Sequence, residues 1–171
     1  QILEVVYVGR GAPQKRVHLI AEIAKQLYKQ KAKIHFSFVG DISEVVPAGI
    51  QTYATLYGNI KDETQLHKIY MQSDVLILTS AYEGLPIVVM DMMARGKVVL
   101  STAVDGITDY ITHYENGLLI YETDEKKIIE QGIELLKELE NNISLKNMIG
   151  RNSYAFAFKH FNGEGFCKFY K

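Results

Sequence analysis

Short apolar runs alternate along the chain with longer stretches whose apolar residues recur at helical spacing. Residues 4–8 read as a strand. Over residues 15–30, Val17, Ile20, Ala21, Ala24 and Leu27 then share one helical face. Strands are predicted at 34–39 and 52–56, the first closed by the turn Gly40-Asp41 and the second by Gly58-Asn59. Asp62 caps a helix over 62–72 that turns Leu66, Ile69 and Tyr70 inward. Residues 74–79 read as a strand, continuously apolar between Asp74 and Thr79, the pattern of a strand buried on both faces. A helix opening at Pro86 follows, then a strand at 98–100, a short helix near 107–111 and a strand at 118–121. Helices over 124–140 and 144–160 close the pattern, with Ile128, Leu135, Leu136 and Leu139 on one face of the first. Strand–helix alternation requires crossover connections. The predicted fold is therefore α/β, a Rossmann-like three-layer domain with a mainly parallel sheet and helices on both faces. Ligands of such sheets bind at the carboxyl ends of the strands.

That rule directs attention to the turns after the predicted strands. Residues 82–96 place Glu83 in a Gly-Pro turn straight after the 74–79 run, and Asp91 eight positions later inside an apolar helix. Pro86 suits the first helical position, where its missing N–H costs nothing. The unpaired backbone N–H groups of that helix end favour an anion. Gly84 lacks the side chain that would block close approach. An anion cradle flanked by two hydrogen-bond-accepting acids suits a nucleotide or, better, a nucleotide-sugar. Asp91 interrupts a run of Ile, Val, Met and Ala, where an unpaired carboxylate is costly. Its partner is either a ligand's ribose diol or a cation such as Lys15, and the sequence leaves both open. After the first strand, Gly9-Arg10-Gly11 and then Lys15 supply two cations able to clamp a diphosphate, or simply two solvated loop charges. The glycine pattern falls short of a dinucleotide fingerprint, because Gln14 stands at the third glycine position.

Composition narrows the field. The 171 residues suffice for one domain with a proper core, and 47% apolar and 23% charged residues are ordinary for a globular protein. A net charge of −1 argues against a broad electrostatic grip on nucleic acid or anionic lipid. The lone cysteine cannot form an internal disulfide, and the five histidines are scattered without ligand spacing, so no metal site is expected. No apolar run approaches bilayer-spanning length. The chain opens at Gln1 immediately before a strand-like run, and we expect it to be a piece of a longer protein. The aromatic-rich stretch from Ser153 to Lys171 is expected to pack on something beyond the domain.

Laid out in order, these segments resemble the C-terminal, donor-binding half of a retaining glycosyltransferase with the GT-B fold, of the family-four (group 1) class. The likeness runs over about residues 3–160. It takes in Val8-Gly9-Arg10 with Lys15, Phe38-Val39-Gly40-Asp41, Tyr57-Gly58-Asn59-Ile60, Ser73-Asp74-Val75 leading to Ser80, Glu83-Gly84-Leu85-Pro86, Ala94 with Gly96, and Asn116-Gly117-Leu118-Leu119. The family's pair of acids eight positions apart falls on Glu83 and Asp91. The resemblance implies that residues 1–171 are a nucleotide-sugar-binding domain whose N-terminal, acceptor-binding partner lies outside this sequence. It implies that Arg10 and Lys15 bind the diphosphate, helped by Gly9 and by backbone N–H groups around Gly84, Leu85 and Pro86. It places Glu83 beside the donor sugar, Asp91 on the ribose hydroxyls, and Gly40, Asn59 and Ile60 around the base. It further implies no metal or other cofactor, an acceptor glycan or lipid, no nucleic acid, and a cytoplasmic enzyme of polysaccharide synthesis associated peripherally with the membrane's inner face. The alternatives are a GT-B-like nucleotide-sugar epimerase and a noncatalytic interaction module. Four positions depart from the family: Asp91 stands for Glu, Arg16 for a frequent Gly, and Asp105 and Asp109 for Gly and Glu.

Overall fold

In a computed structural model, which describes residues 1–161, six parallel strands form one sheet in the order β3-β2-β1-β4-β5-β6. The strands are β1 (Leu3–Val8), β2 (Ile34–Val39), β3 (Ala54–Gly58), β4 (Val75–Leu78), β5 (Val98–Thr102) and β6 (Leu118–Ile120). Five α-helices cover it: α1 (Val17–Lys29), α2 (Glu63–Gln72), α3 (Ile87–Ala94), α4 (Glu125–Asn141) and α5 (Ile143–His160). The strand order reverses between β1 and β4, so the fold's ligand crevice opens where those two strands end. The predicted three-layer parallel architecture is the one observed.

Each layer follows from its sequence. Every residue of β4 and β5 is buried: β4 is the unbroken apolar run that cover on both faces requires, and β5 adds the buried hydroxyl residues Ser101 and Thr102 at its end. The sheet-facing stripe of α1 also buries Leu19 and Ile23, because α4 packs over its back. Gly132 of α4 makes that approach possible, since a Cβ there would stand 2.8 Å from Ile23 Cδ1. Asp62 caps α2 as predicted, its carboxylate accepting the Thr64 N–H at 2.9 Å.

The structure departs from the sequence reading at four places with an identifiable backbone cause. The first helix starts at Val17 rather than 15, because Pro13–Lys15 forms a separate 3-10 turn and Arg16 adopts the left-handed conformation, φ +46°. The third strand starts two residues late, because Gly49 at φ +84° feeds a 3-10 turn, Ile50–Thr52, that buries Ile50. Pro86 caps α3 from outside instead of occupying its first position. Residues 107–111 form hydrogen-bonded turns, closed by Ile107 N–H to Val104 O and Ile111 N–H to Ile107 O, and not a helix.

The aromatic stretch divides. Phe156 and Phe161 fold back onto Tyr110, with ring centroids 6.5 and 5.7 Å away, whereas Tyr154 and Phe158 are exposed. Residues 162–171 of that stretch lie outside the described residues. Among the described residues no helix is long and apolar enough to cross a membrane.

Candidate functional site at the strand ends

The turns after β1, β2 and β4 meet on tight backbone contacts. Gly9 N–H donates to Val39 O at 3.0 Å, and Gly11 N–H to Asp41 O at 2.9 Å. Gly40, at φ +121°, lies so close to Gly9 that a Cβ would stand 1.9 Å from the Gly9 carbonyl oxygen. Both the conformation and the contact demand glycine there. Tyr7, fully buried, donates its hydroxyl to Arg10 O at 2.8 Å and so fixes the turn that presents the exposed Arg10 side chain. Burial raises the Tyr7 phenol far above its ordinary value, with the negative charge of Glu83 adding to the effect, so it stays a donor. A cleft of about 300 Å³ opens beside Arg10, lined also by Gly11, Asp41, Ile42 and Glu44.

Across the switch point, the loop from β4 carries Glu83. Its carboxylate receives the Lys15 ammonium and, at 2.7 Å, the Ser80 hydroxyl. The pair is largely buried, Glu83 more so than Lys15. Arg16 ties the same two loops through the backbone. Its Nε donates to Thr79 O at 2.7 Å and one terminal nitrogen to Ser80 O at 3.0 Å. Thr79 returns its hydroxyl to Arg16 O at 3.0 Å, and Ala81 N–H donates to Gln14 O at 2.8 Å. Thr102 at the end of β5 donates to Ser80 O at 2.7 Å. Lys15 and Glu83 are therefore presented by loops pinned on three sides.

Gly106 completes the frame. At φ +84°, a Cβ on it would stand 2.5 Å from Gly84 O and 2.8 Å from Glu83 O, so the turn after β5 packs backbone-to-backbone on the Glu83-Gly84 loop. At the start of α3 the N–H groups of Leu85, Ile87 and Val88 make no backbone hydrogen bond among the described residues. Pro86 has no N–H to contribute, so the sequence reading corrects here to its neighbours. Gly84 is open, with no atom within 4 Å of where a Cβ would stand. The arrangement offers cations, free amides and a carboxylate on the loops that follow β1 and β4, the equipment for holding an anion that also carries hydroxyls.

Asp91 lies elsewhere in the network. It is buried on α3 and pairs with Arg95 one turn on, at 3.5 Å to the carboxylate and 2.9 Å to its carbonyl oxygen. Arg95 also lies over the Tyr70 ring of α2, 5.3 Å from its centroid, and contacts His67 Nδ1 at 3.3 Å. Burial and the Asp91 charge push the Tyr70 phenol up to about 12. Of the two partners left open for Asp91, Lys15 is bound instead to Glu83, and a cation that the sequence reading does not single out, Arg95, stands beside Asp91. Asn59 is exposed after β3, while Ile60 is half-buried against the core. Sequence reasoning misses the two contributions made by backbone geometry. In the sequence Arg16 and Asp105 stand out only as departures from the family pattern, and neither contact has a local sequence signal.

The model of the family described as "Glycosyl transferases group 1" matches residues 3–156. An uncharacterised glycosyltransferase of Methanocaldococcus jannaschii is 30% identical over 123 residues, which cover 68% of this chain and 31% of that protein. The chain thus spans about a third of that relative's length. Among solved structures, the pneumococcal O-GlcNAc transferase GtfA in complex with UDP and GlcNAc superposes with a TM-score of 0.78 at 20% identity, over 92% of this chain and 32% of that one. The C-terminal domain of the group 1 glycosyl transferase LpcC from Francisella tularensis superposes with a TM-score of 0.78 at 18% identity, over 93% of this chain and 86% of that domain. These structural likenesses carry the fold, and the family match extends over nearly the whole chain: it belongs to the group 1 glycosyl transferases.

Proposed function

We propose that the chain is the donor-binding domain of a retaining glycosyltransferase, and that it holds a nucleoside diphosphate sugar in the crevice between the ends of β1 and β4. The observation that carries this reading is the meeting of Lys15, Ser80 and Glu83 at the switch point, beside the amino end of α3 and the Arg10 turn. Family membership and the UDP in the GtfA complex support it. Arg10 and Lys15 bind the diphosphate, helped by Gly9 and the backbone N–H groups of Gly84, Leu85, Ile87 and Val88. Asp91 holds the ribose hydroxyls, and Gly40, Asn59 and Ile60 border the base.

In the reaction, the bond between the donor sugar and the diphosphate breaks and a bond to an acceptor hydroxyl forms with the anomeric configuration kept. Negative charge grows on the leaving diphosphate. Lys15 and the α3 amides are in place before that charge develops, and Arg10 is carried on a held turn, so little reorganisation is left to raise the barrier. Glu83 orients the sugar hydroxyls and keeps Lys15 in place. The acceptor, a glycan or lipid, binds mainly to a second domain of the full-length protein.

Calorimetric titration of the chain with UDP, GDP and ADP, without added metal, tests this. Saturable binding of one of them, lost in Arg10→Ala and Lys15→Ala, is expected. Heat from none of the three would overturn the reading.

A further inference from the structure

A second cleft, of about 610 Å³, lies at the opposite edge of the sheet, where β4 and β5 begin. Its walls carry Asp74, Arg95, Lys97, Lys146, Arg151 and Tyr154. Four cations and one carboxylate thus face one concavity in a chain whose net charge is −1. The concavity is built by two glycines. Gly150 of α5 lies against the turn after α3, where a Cβ would stand 2.4 Å from Gly96 O, and Gly96 holds φ +67°.

The charges are anchored. Asp74 accepts Lys146 Nζ at 2.6 Å and the Glu4 N–H at 3.0 Å. Lys97 Nζ donates to Met71 O at 2.7 Å, and Arg95 is held by Asp91. Lys97 and Arg151 form no ion pair with a carboxylate among the described residues. Burial lowers the Lys97 ammonium below its ordinary value; the Asp74 carboxylate offsets part of this, and the charges of Lys146 and Arg95 add to it. Half-buried like charges are expensive to hold together unless something anionic joins them.

We infer that this cleft is an anion site for a phosphate group, separate from the nucleotide crevice and reached from the other side of the sheet. Lys97 and Arg151 supply the unpaired positive charge, Lys146 shares its ammonium with Asp74, and the ring of Tyr154 forms an exposed apolar rim. The phosphate comes either from a free phosphorylated metabolite or from the headgroup of an anionic lipid.

Isotope-labelled chain, first saturated with the nucleotide it binds, is titrated with inorganic phosphate at constant ionic strength while amide resonances are followed. Saturable shifts at Gly96, Gly150 and Arg151, with Gly84 and Leu85 unmoved, are expected. In Arg151→Glu, an exposed position whose change spares the core, affinity falls by about tenfold or more, the scale of one charge-assisted hydrogen bond. Lys97→Met provides an independent variant with the same expected direction. In a parallel arm, co-sedimentation with phosphatidylglycerol but not phosphatidylcholine vesicles, competed by phosphate, assigns the lipid source. Phosphate shifts without vesicle binding assign the free metabolite. Shifts that fail to saturate, or that persist unchanged in both variants, overturn the site. Because the strand-end crevice is read by a separate set of amides, failure here leaves the nucleotide reading untouched.

Discussion

The Lys15 ammonium reaches across the switch point of the sheet and pairs with the Glu83 carboxylate, joining the loops that leave β1 and β4. Any diphosphate that recruits Lys15 must compete with that carboxylate or share the lysine with it. Lys15→Ala is therefore expected to weaken nucleoside diphosphate binding by about tenfold to a hundredfold, as for a lost hydrogen bond to a charged group. Glu83→Gln, which keeps the shape but releases the lysine, is expected to hold or tighten nucleotide binding while lowering sugar transfer by the full-length protein. Calorimetry on both variants and on the double variant measures the coupling. Equal losses of nucleotide affinity in the two single variants would contradict the competition.

Gly106 packs on the carbonyls of Glu83 and Gly84 at φ +84°, whereas Gly49, also at φ +84°, has nothing within 4 Å of a would-be Cβ. The two positions separate strain of conformation from strain of contact. Gly49→Ala is expected to cost about 1 kcal/mol from the left-handed conformation alone. Gly106→Ala adds a backbone clash and is expected to cost about 2–4 kcal/mol. It should also weaken nucleotide binding, because relief of the clash displaces Glu83. Denaturant unfolding of both variants, paired with nucleotide titration, checks the contrast.

The same contrast shows what a sequence can reveal. The β4 run is legible because burial on both faces leaves an unbroken apolar stretch, and the Glu83-Gly84-Leu85-Pro86 turn because its residue types each have one physical use. The left-handed Arg16 is not legible. Its stabilisation comes from carbonyls at Thr79 and Ser80, more than sixty residues away. The Gly106 contact is hidden for the same reason, since a glycine in a loop announces freedom and not the neighbour that needs it. The late start of β3 reflects a 3-10 turn, Ile50–Thr52, that takes up residues whose own preference is for a strand.

Asp91 is buried beside Arg95, and the ion pair explains how α3 tolerates a carboxylate. A ribose role adds a ligand to that pair without replacing it. The two contributions separate when nucleotide and inorganic pyrophosphate are compared, since pyrophosphate has no ribose. Asp91→Asn is expected to weaken nucleotide binding by about tenfold or more while leaving pyrophosphate binding within a few-fold. Equal effects on both ligands would assign Asp91 to the fold alone. Arg95→Met, which removes the cation beside that carboxylate, is expected to lower stability, and denaturant unfolding measures the loss.

His113 supplies a pH dependence to the fold itself. Its Nδ1 accepts the Leu119 N–H at 2.9 Å, a bond that only the neutral ring can make, and it pins the start of β6. Burial lowers the imidazole below its ordinary value of 6.5, an effect only partly offset by the charge of Glu138. The folded state therefore binds fewer protons than the unfolded state as pH falls through that range. The stabilisation from His113 is complete above the unfolded value and is lost as pH drops towards the folded one. His113→Asn keeps a carbonyl acceptor near the Leu119 amide and removes the titration. Denaturant midpoints measured between about pH 7.5 and about pH 5.5 should fall more steeply for the parent than for His113→Asn. Parallel slopes would mean that protonating the ring costs the fold nothing, and the hydrogen-bond assignment to Leu119 would fail with it.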